Sequence, residues 1–267
     1  MTLSMLGLRE GYRALVVGAS GGIGQAFVQA LRSDPRCSDV QAVRRGDPID
    51  WDLGDEASLT ALAAQVQGPL HLVVDATGAL TIDGQGPEKR LQELDAQRLL
   101  RSLQVNAVGP ALLLRHLSPL LARGERVIWA KLSARVGSIE DNHKGGWYGY
   151  RAAKAALNQL LQTAAIEISR QRPLAVVAAL QPGTVRSALS RPFVGDEALA
   201  PEASVHGLLQ ALQRVGGQGG VVHVGAALIG FHHLQPLFQV GGKGGAGGGI
   251  DRLAGTLAHH HHRAGGR

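Results

Sequence analysis

The sequence predicts an α/β domain built on a doubly wound parallel sheet, with helices on both faces. Three observations predict it. From Arg13 to Val224, short apolar and β-branched runs alternate with longer segments of helical periodicity. The short runs are apolar almost throughout, as strands are when both faces of a parallel sheet are covered. The first run leads straight into a glycine-rich turn that opens a helix. Repeated strand–helix–strand units of this kind imply right-handed crossovers.

Arg13–Val17 reads as the first strand and Gly22–Arg32 as the first helix. Val40–Arg44 and Asp55–Gln67 repeat the pair, and Leu70–Asp75 is a third strand. Leu99–Arg123 is largely helical around an interior Pro110, followed by a strand at Arg126–Ala130. Trp147–Arg170 is a long helix and Leu174–Leu180 a strand. Pro201–Val215 is a helix that begins on proline, where the missing N–H costs nothing. Val221–Val224 is a last strand. Residues 1–225 are thus expected to form one domain. Residues 226–267 form a Gly/His-rich tail that has little to bury and is expected to be flexible. The run His259–His262 is read as incidental, and no metal site is expected.

Composition limits the alternatives. The net charge of +6 invites a nucleic-acid reading, but the basic residues are scattered arginines, not a stripe, and no aromatic platform accompanies them. Neither nucleic acid nor membrane is expected as a partner. Cys37 is the only cysteine, which excludes an intrachain disulfide and a thiolate metal cluster. The chain shows no basic segment leading into a long apolar stretch at its start, and no run of roughly 18 apolar residues. A cytoplasmic location is the expectation.

Two motifs carry chemistry. After the first strand comes Gly18-Ala19-Ser20-Gly21-Gly22-Ile23-Gly24. Glycines at 18, 22 and 24 let the backbone turn tightly and approach a pyrophosphate, while the next helix aims free N–H groups at it. The second strand ends Val43-Arg44-Arg45, where an acidic residue would bind the ribose hydroxyls of NAD. An arginine pairs instead with a 2′-phosphate, so Arg44 favours NADP over NAD. The competing reading makes both arginines solvated loop charges. Farther on, Tyr150 and Lys154 stand four apart on a predicted helix and share a face. Tyr148 has Ala152 at that spacing and does not match.

Taken together, these residues resemble the short-chain dehydrogenase/reductase superfamily in its classical-length branch, over about Arg13 to Val224. Gly18–Gly24 is similar to the family's TGxxxGIG turn, with Val17 for the threonine. Asp52-Leu53 resembles the pair that touches the adenine. Asp75-Ala76-Thr77-Gly78 stands at the NNAG position, with Asp for the first Asn. Asn106 resembles the catalytic asparagine, and Pro182-Gly183-Thr184-Val185 the PG motif beside the nicotinamide. Ser133–Asn158, with Gly145-Gly146-Trp147-Tyr148, looks most like the C-factor and Sniffer-like carbonyl reductases. Extended relatives such as epimerases share the Tyr-x3-Lys pair but carry another glycine spacing and a longer chain.

The resemblance implies a Rossmann-type fold and an NADP-dependent oxidoreductase, with NAD as the alternative cofactor. It would move a hydride between the nicotinamide and a carbonyl or secondary alcohol. Tyr150 would be the general acid/base, and Lys154 would lower its pKa from about 10 and hold the nicotinamide ribose. Asn106 would hold a relay water. Cofactor contacts are expected from Gly18, Ser20, Gly22, Ile23, Gly24, Arg44, Asp52, Leu53, Ala76, Thr77, Gly78, Tyr150, Lys154, Pro182, Gly183 and Val185. A homodimer or homotetramer is implied, with the Leu99–Arg123 and Trp147–Arg170 helices at the interface. Substrate choice would fall to the loop Ser187–Leu199 and the C-terminal end.

The serine departs from the pattern. The family places it three residues before the glycine of an SSxxG-like segment, and here that residue is Ala134, before Gly137. Ser133 and Ser138 flank it, and Ser138 lies 12 residues before Tyr150, close to the family's separation. Asp141–Gly146 resembles a small insertion, which favours the register that puts Ala134 at the site. Either Ser133 or Ser138 substitutes, or catalysis is weakened. A second reading therefore stays open, a non-catalytic NAD(P)-binding sensor or scaffold on the same fold.

Overall fold

Six strands form one parallel sheet in a computed structural model that describes residues 4–47, 49–187, 198–216 and 220–225. They are β1 (Tyr12–Val17), β2 (Cys37–Val43), β3 (Leu72–Asp75), β4 (Val127–Leu132), β5 (Ala175–Gln181) and β6 (Val221–Gly225). Their order is β2-β1-β3-β4-β5-β6. Described residues lie in one unit, Met1–His232; a second unit, His233–Arg267, and with it the predicted tail and His259–His262, lies outside them. So does most of the predicted specificity loop, at 188–197.

The unbroken apolar strands follow from two-sided burial. Leu15 and Val17 of β1 enter one core with Val73 and Trp129, covered by α2 (Glu56–Gln65), α4 (Gly109–Leu117) and α5 (Tyr148–Gln171). Ala14 and Val16 enter the other with Leu72 and Ile128, covered by α1 (Gly22–Arg32) and α6 (Pro201–Arg214). Alternate residues face opposite sides, and both sides are apolar. Phe27 of α1 is fully buried. Trimming it to alanine would cost about 3–5 kcal/mol.

The strand order reverses between β1 and β3. Their carboxyl ends therefore flank a crevice, the usual ligand position in open α/β sheets. The glycine turn leaves β1 here, and the Asp75–Gly78 turn leaves β3 beside it.

Two helical regions differ from the sequence expectation. The helix expected at Leu99–Arg123 starts earlier, as α3 (Ala96–Leu103), because Asp95 accepts a hydrogen bond from the Arg98 N–H. It continues through a π-helical turn at Gln104–Val108 into α4, and Pro110 sits in the first turn of α4. Trp147, expected to open the long helix, precedes it instead in a left-handed conformation with φ 56°. Gly145 and Gly146 share that conformation. The carbonyl of buried Glu88 accepts from the Trp147 N–H, and its carboxylate accepts from the Gly149 N–H at 3.0 Å. Glu88 thus supplies the N-terminal cap of α5, which its own flanking residues do not.

Candidate active site

The glycine turn is shaped by close backbone approaches. Gly18 has φ +85°, and a Cβ there would lie 3.0 Å from the Ala76 carbonyl carbon. A Cβ on Gly24 would come 2.2 Å from the Gly18 oxygen. Gly22 differs: its nearest neighbours, Pro201 and Arg186, stand 3.7 and 3.8 Å away. Gly21 precedes α1 without a side-chain cap, and the first intrahelical bond is Gln25 N–H to Gly21 O. The amides of Gly22, Ile23 and Gly24 therefore open the helix with no intrahelical acceptor. Amides at a positive helix end with no intrahelical acceptor among the described residues, and no atom closer than 3.7 Å to a Cβ on Gly22, suit an anionic group such as a pyrophosphate. Ser20 is exposed on the rim of this turn.

Arg44 stands at the carboxyl end of β2, where the sequence places it. Its exposed guanidinium pairs with Asp47 at 3.2 Å, and the two backbones bond to each other. Asp52 accepts from the Gly54 N–H at 2.7 Å and lies 3.8 Å from Arg101. Its side chain shapes the turn after buried Leu53. On the far side of the crevice, Gly183 takes φ +77°, and Val185 is buried and bridged to Leu199. Ser204 of α6 donates to the Pro182 carbonyl at 2.7 Å and so pins the Pro182–Gly183 turn. The sequence reading missed Ser204, since nothing in a helix pattern marks a serine that reaches a distant loop.

Tyr150 and Lys154 occupy successive turns of α5, with the Lys154 Nζ 5.5 Å from the Tyr150 ring centre. The ammonium is buried and donates to the Leu132 carbonyl at 3.0 Å. Burial pulls the Lys154 pKa down to about 7; the Lys131 charge adds to that and Asp75 opposes it. Burial also pushes the Tyr150 hydroxyl up to about 12. That differs from the expected lowering: burial disfavours the phenoxide, and a lysine that titrates near 7 is a weaker counter-charge than an exposed one. Tyr150 also faces a cavity of about 250 Å³ shared with Leu80, Glu88, Arg98 and Ser102.

Asn106 lies in the π-helical turn and is fully buried. Its amide accepts from the Ala79 N–H at 2.9 Å and donates to the Ala79 carbonyl at 2.8 Å. A Cβ on Gly78 would stand 3.2 Å from the Asn106 Oδ1 and 3.6 Å from the Lys154 Nζ. Asn106, Gly78, Lys154 and Tyr150 therefore gather at one place, as the sequence predicts. Ala76 and Thr77 lie in the same turn. π-Helical turns recur at functional sites because they turn a side chain out of the helical register.

The flanking serines are placed differently. Ser133 is buried and donates to Asn158, two turns past Tyr150, at 2.7 Å. Ser138 follows the Arg135–Gly137 turn, and its hydroxyl accepts from the Asp141 N–H at 3.3 Å. Among the described residues the Ser138 proton has no acceptor. Gly137 packs on α5, where a Cβ would come 2.9 Å from Lys154 backbone. Lys131 is a fully buried cation beside the site, paired with Asp75 at 2.9 Å. The sequence reading overlooked it, because one lysine in an apolar strand gives no sign of its partner. No His/Cys/Asp/Glu cluster among the described residues is arranged to hold a metal, and no described helix is long and apolar enough to cross a membrane.

Comparison with known proteins identifies the family and the fold. A family model described as enoyl-(acyl carrier protein) reductase matches residues 18–229. The chain is 30% identical over 216 residues to 1-hydroxy-2-glutathionyl-2-methyl-3-butene dehydrogenase of Rhodococcus sp. (strain AD45), covering 75% of this chain and 90% of that one. It is 30% identical over 145 residues to C-signal of Myxococcus xanthus, covering 54% and 81%. Carbonyl reductase Sniffer of D. melanogaster superposes with a TM-score of 0.67 at 23% identity, covering 80% and 97%. NADPH-bound carbonyl reductase from chicken fatty liver superposes with a TM-score of 0.69 at 23% identity, covering 81% and 92%.

Proposed function

The chain belongs to the short-chain dehydrogenase/reductase superfamily, and from that premise we propose that it reduces a carbonyl, or oxidises the matching alcohol, with NADP(H). The observation that carries the proposal is the pairing of Tyr150 and Lys154 on one face of α5, beside Asn106 and Gly78. The glycine turn at the end of β1 supports a bound dinucleotide. Solved structures of the same fold with NADP or NADPH bound support the choice of phosphate form.

A bound NADP(H) would supply the hydride, leaving position and proton to the protein. The amides of Gly22, Ile23 and Gly24 would hold the pyrophosphate, with Gly18 and Ser20 shaping the turn. Arg44, paired with Asp47 here, would hold the 2′-phosphate, while Asp52 and Leu53 would meet the adenine. Ala76, Thr77 and Gly78 would line the ribose, and Pro182, Gly183 and Val185 the nicotinamide. Tyr150 donates its hydroxyl proton to the substrate oxygen in reduction and takes it back in oxidation. Lys154 would hold the ribose and, when protonated, favours the phenoxide. Asn106, already bonded to Ala79, holds the turn over Lys154 and a relay water. Of the two serines, Ser138 is the one with a proton to give to the substrate oxygen.

Exposed Leu100 and Leu160, on α3 and α5, support assembly into a homodimer or homotetramer through those helices. Light scattering coupled to size exclusion would reveal a monomer if that is wrong.

The test of function compares the wild type with Tyr150→Phe across a panel of aldehydes and ketones, following NADPH consumption. Turnover that Tyr150→Phe lowers by about 10³-fold or more supports the reading. NADPH binding without turnover above that variant would leave a nucleotide-binding sensor or scaffold, the reading that Ala134 favours. An unaltered NADPH preference in Arg44→Ala would refute the role of Arg44.

A further inference from the structure

A buried ion pair beneath the site has no part in the mechanism above. Asp75 ends β3, and Lys131 is its register partner on β4. Their side chains are 0% and 1% exposed. The Lys131 Nζ donates to Asp75 Oδ1 at 2.9 Å, to the Thr77 carbonyl at 2.7 Å and to Thr77 Oγ1 at 3.0 Å. All three ammonium protons are thus used. Thr77 closes the circuit, giving its N–H and its hydroxyl to the same Asp75 Oδ1 at 2.9 and 2.6 Å. The network binds the end of β3, the turn after it and β4 into one unit.

That turn is the one that meets Asn106 and Lys154. Gly78 takes φ +140°, and a Cβ there would lie 3.2 Å from the Asn106 Oδ1 and 3.6 Å from the Lys154 Nζ; Ala79 is held by the Asn106 amide. Lys154 in turn donates to Leu132, the residue after Lys131. The charged or titratable groups facing Lys154 are Asp75 from β3, Lys131 from β4 and Tyr150 from α5 itself. Asn106 and Gly137 bring no charge, and Arg135 is turned outward to Asp141.

We propose that Lys131 is a positioning residue for the Tyr150–Lys154 pair: through Asp75 and Thr77 it locks the Asp75–Gly78 turn, and its ammonium balances the Asp75 carboxylate in the field at Lys154. The proposal deepens the reductase reading and rests on it only for its kinetic consequence.

Three variants test it: Lys131→Met, Asp75→Asn and the double Asp75→Asn/Lys131→Met. Losing the ammonium leaves a carboxylate beside Lys154, which then keeps its proton to higher pH. Losing the carboxylate leaves a second cation, and Lys154 gives up its proton at lower pH. The first readout needs no cofactor: urea unfolding from about pH 6 to about pH 10, taking only the pH-dependent part that Lys154→Met removes. Its onset should move up by about one pH unit in Lys131→Met and down by about one in Asp75→Asn. In the double variant it should lie near the wild type. The pH profile of kcat should move in the same two directions, with kcat changed more than KM. Single variants that both move the same way, or neither moves, would overturn the proposal. If Lys131→Met does not fold, Asp75→Asn and the double variant decide, by a downward shift and its reversal. If the wild type turns over no carbonyl, the reductase reading fails, and the unfolding measurement alone decides the role of Lys131.

Discussion

Asn106 grips Ala79 at both polar ends of one peptide residue, accepting from its N–H at 2.9 Å and donating to its carbonyl at 2.8 Å. This clamp crosses from the π-helical turn to the turn after β3. A replacement such as Asn106→Leu leaves a part-buried N–H and C=O without their partner, at about 1–3 kcal/mol each. The variant should lose about 2–6 kcal/mol in urea unfolding, together with most turnover. A fully stable Asn106→Leu would mean that water replaces the amide at no cost.

Gly22 and Gly24 should respond differently to the same added methyl group. At Gly24 the new Cβ meets the Gly18 oxygen at 2.2 Å, so Gly24→Ala must move the turn. At Gly22 the nearest atom is 3.7 Å away. Gly22→Ala should therefore keep its thermal stability while binding NADPH at least about tenfold more weakly. Isothermal titration and thermal melts separate the two effects, and unweakened binding in Gly22→Ala would place the pyrophosphate elsewhere.

The serines can be sorted by where each variant does its damage. Ser133→Ala leaves the Asn158 side-chain Oδ1 short of a donor and should cost about 1–3 kcal/mol of stability with kcat nearly unchanged. Ser138→Ala should keep stability and lower kcat by about 10²-fold. Ala134→Ser, which restores the family residue, should raise kcat. The reverse outcome for the first two would assign the substrate contact to Ser133.

The pH dependence of stability has a definite sign. Lys154 titrates at about 7 in the folded chain against a reference value of 10.5. Between those values the unfolded chain holds a proton that the folded one has released, so stability rises with pH, by at most roughly 1 kcal/mol per unit. Tyr150, pushed up to about 12 from 10.0, acts oppositely. Its contribution is complete below pH 10 and is lost as pH climbs toward 12. Denaturation of the apo protein should show the rise flattened in Lys154→Met and the alkaline fall lessened in Tyr150→Phe. A wild type whose stability falls steadily from pH 7 to 10 would contradict the burial of Lys154.

Much of the architecture was legible because local signals and burial agree. The strands are apolar on both faces, and the glycine turn lies between a predicted strand and a predicted helix, the context that gives its spacing meaning. Tyr150, Lys154 and Asn106 could be named for the same reason, since each stands in a motif. Glu88, Lys131 and Ser204 could not. Each acts on a partner far away in sequence: Glu88 on Gly149, Lys131 on Asp75, Ser204 on Pro182. No period or spacing encodes such pairs before the chain has folded. The left-handed Trp147 was hidden for a related reason, because its conformation is fixed by Glu88 and two preceding glycines and not by its own propensity.

The Asp75–Lys131 pair also bears on how such a chain could have arisen. Starting from the family's asparagine, a lone change to aspartate would bury one negative charge, and a lone change to lysine on β4 one positive charge. Stranding a buried charge costs about 3–5 kcal/mol, enough to remove a large share of a domain's stability. The two positions are therefore expected to be inherited as a couple, so that a lineage that keeps one keeps the other. In an alignment, Asp75 for Asn looks like a modest exchange, but it is half of a two-site replacement whose other half lies 56 residues downstream.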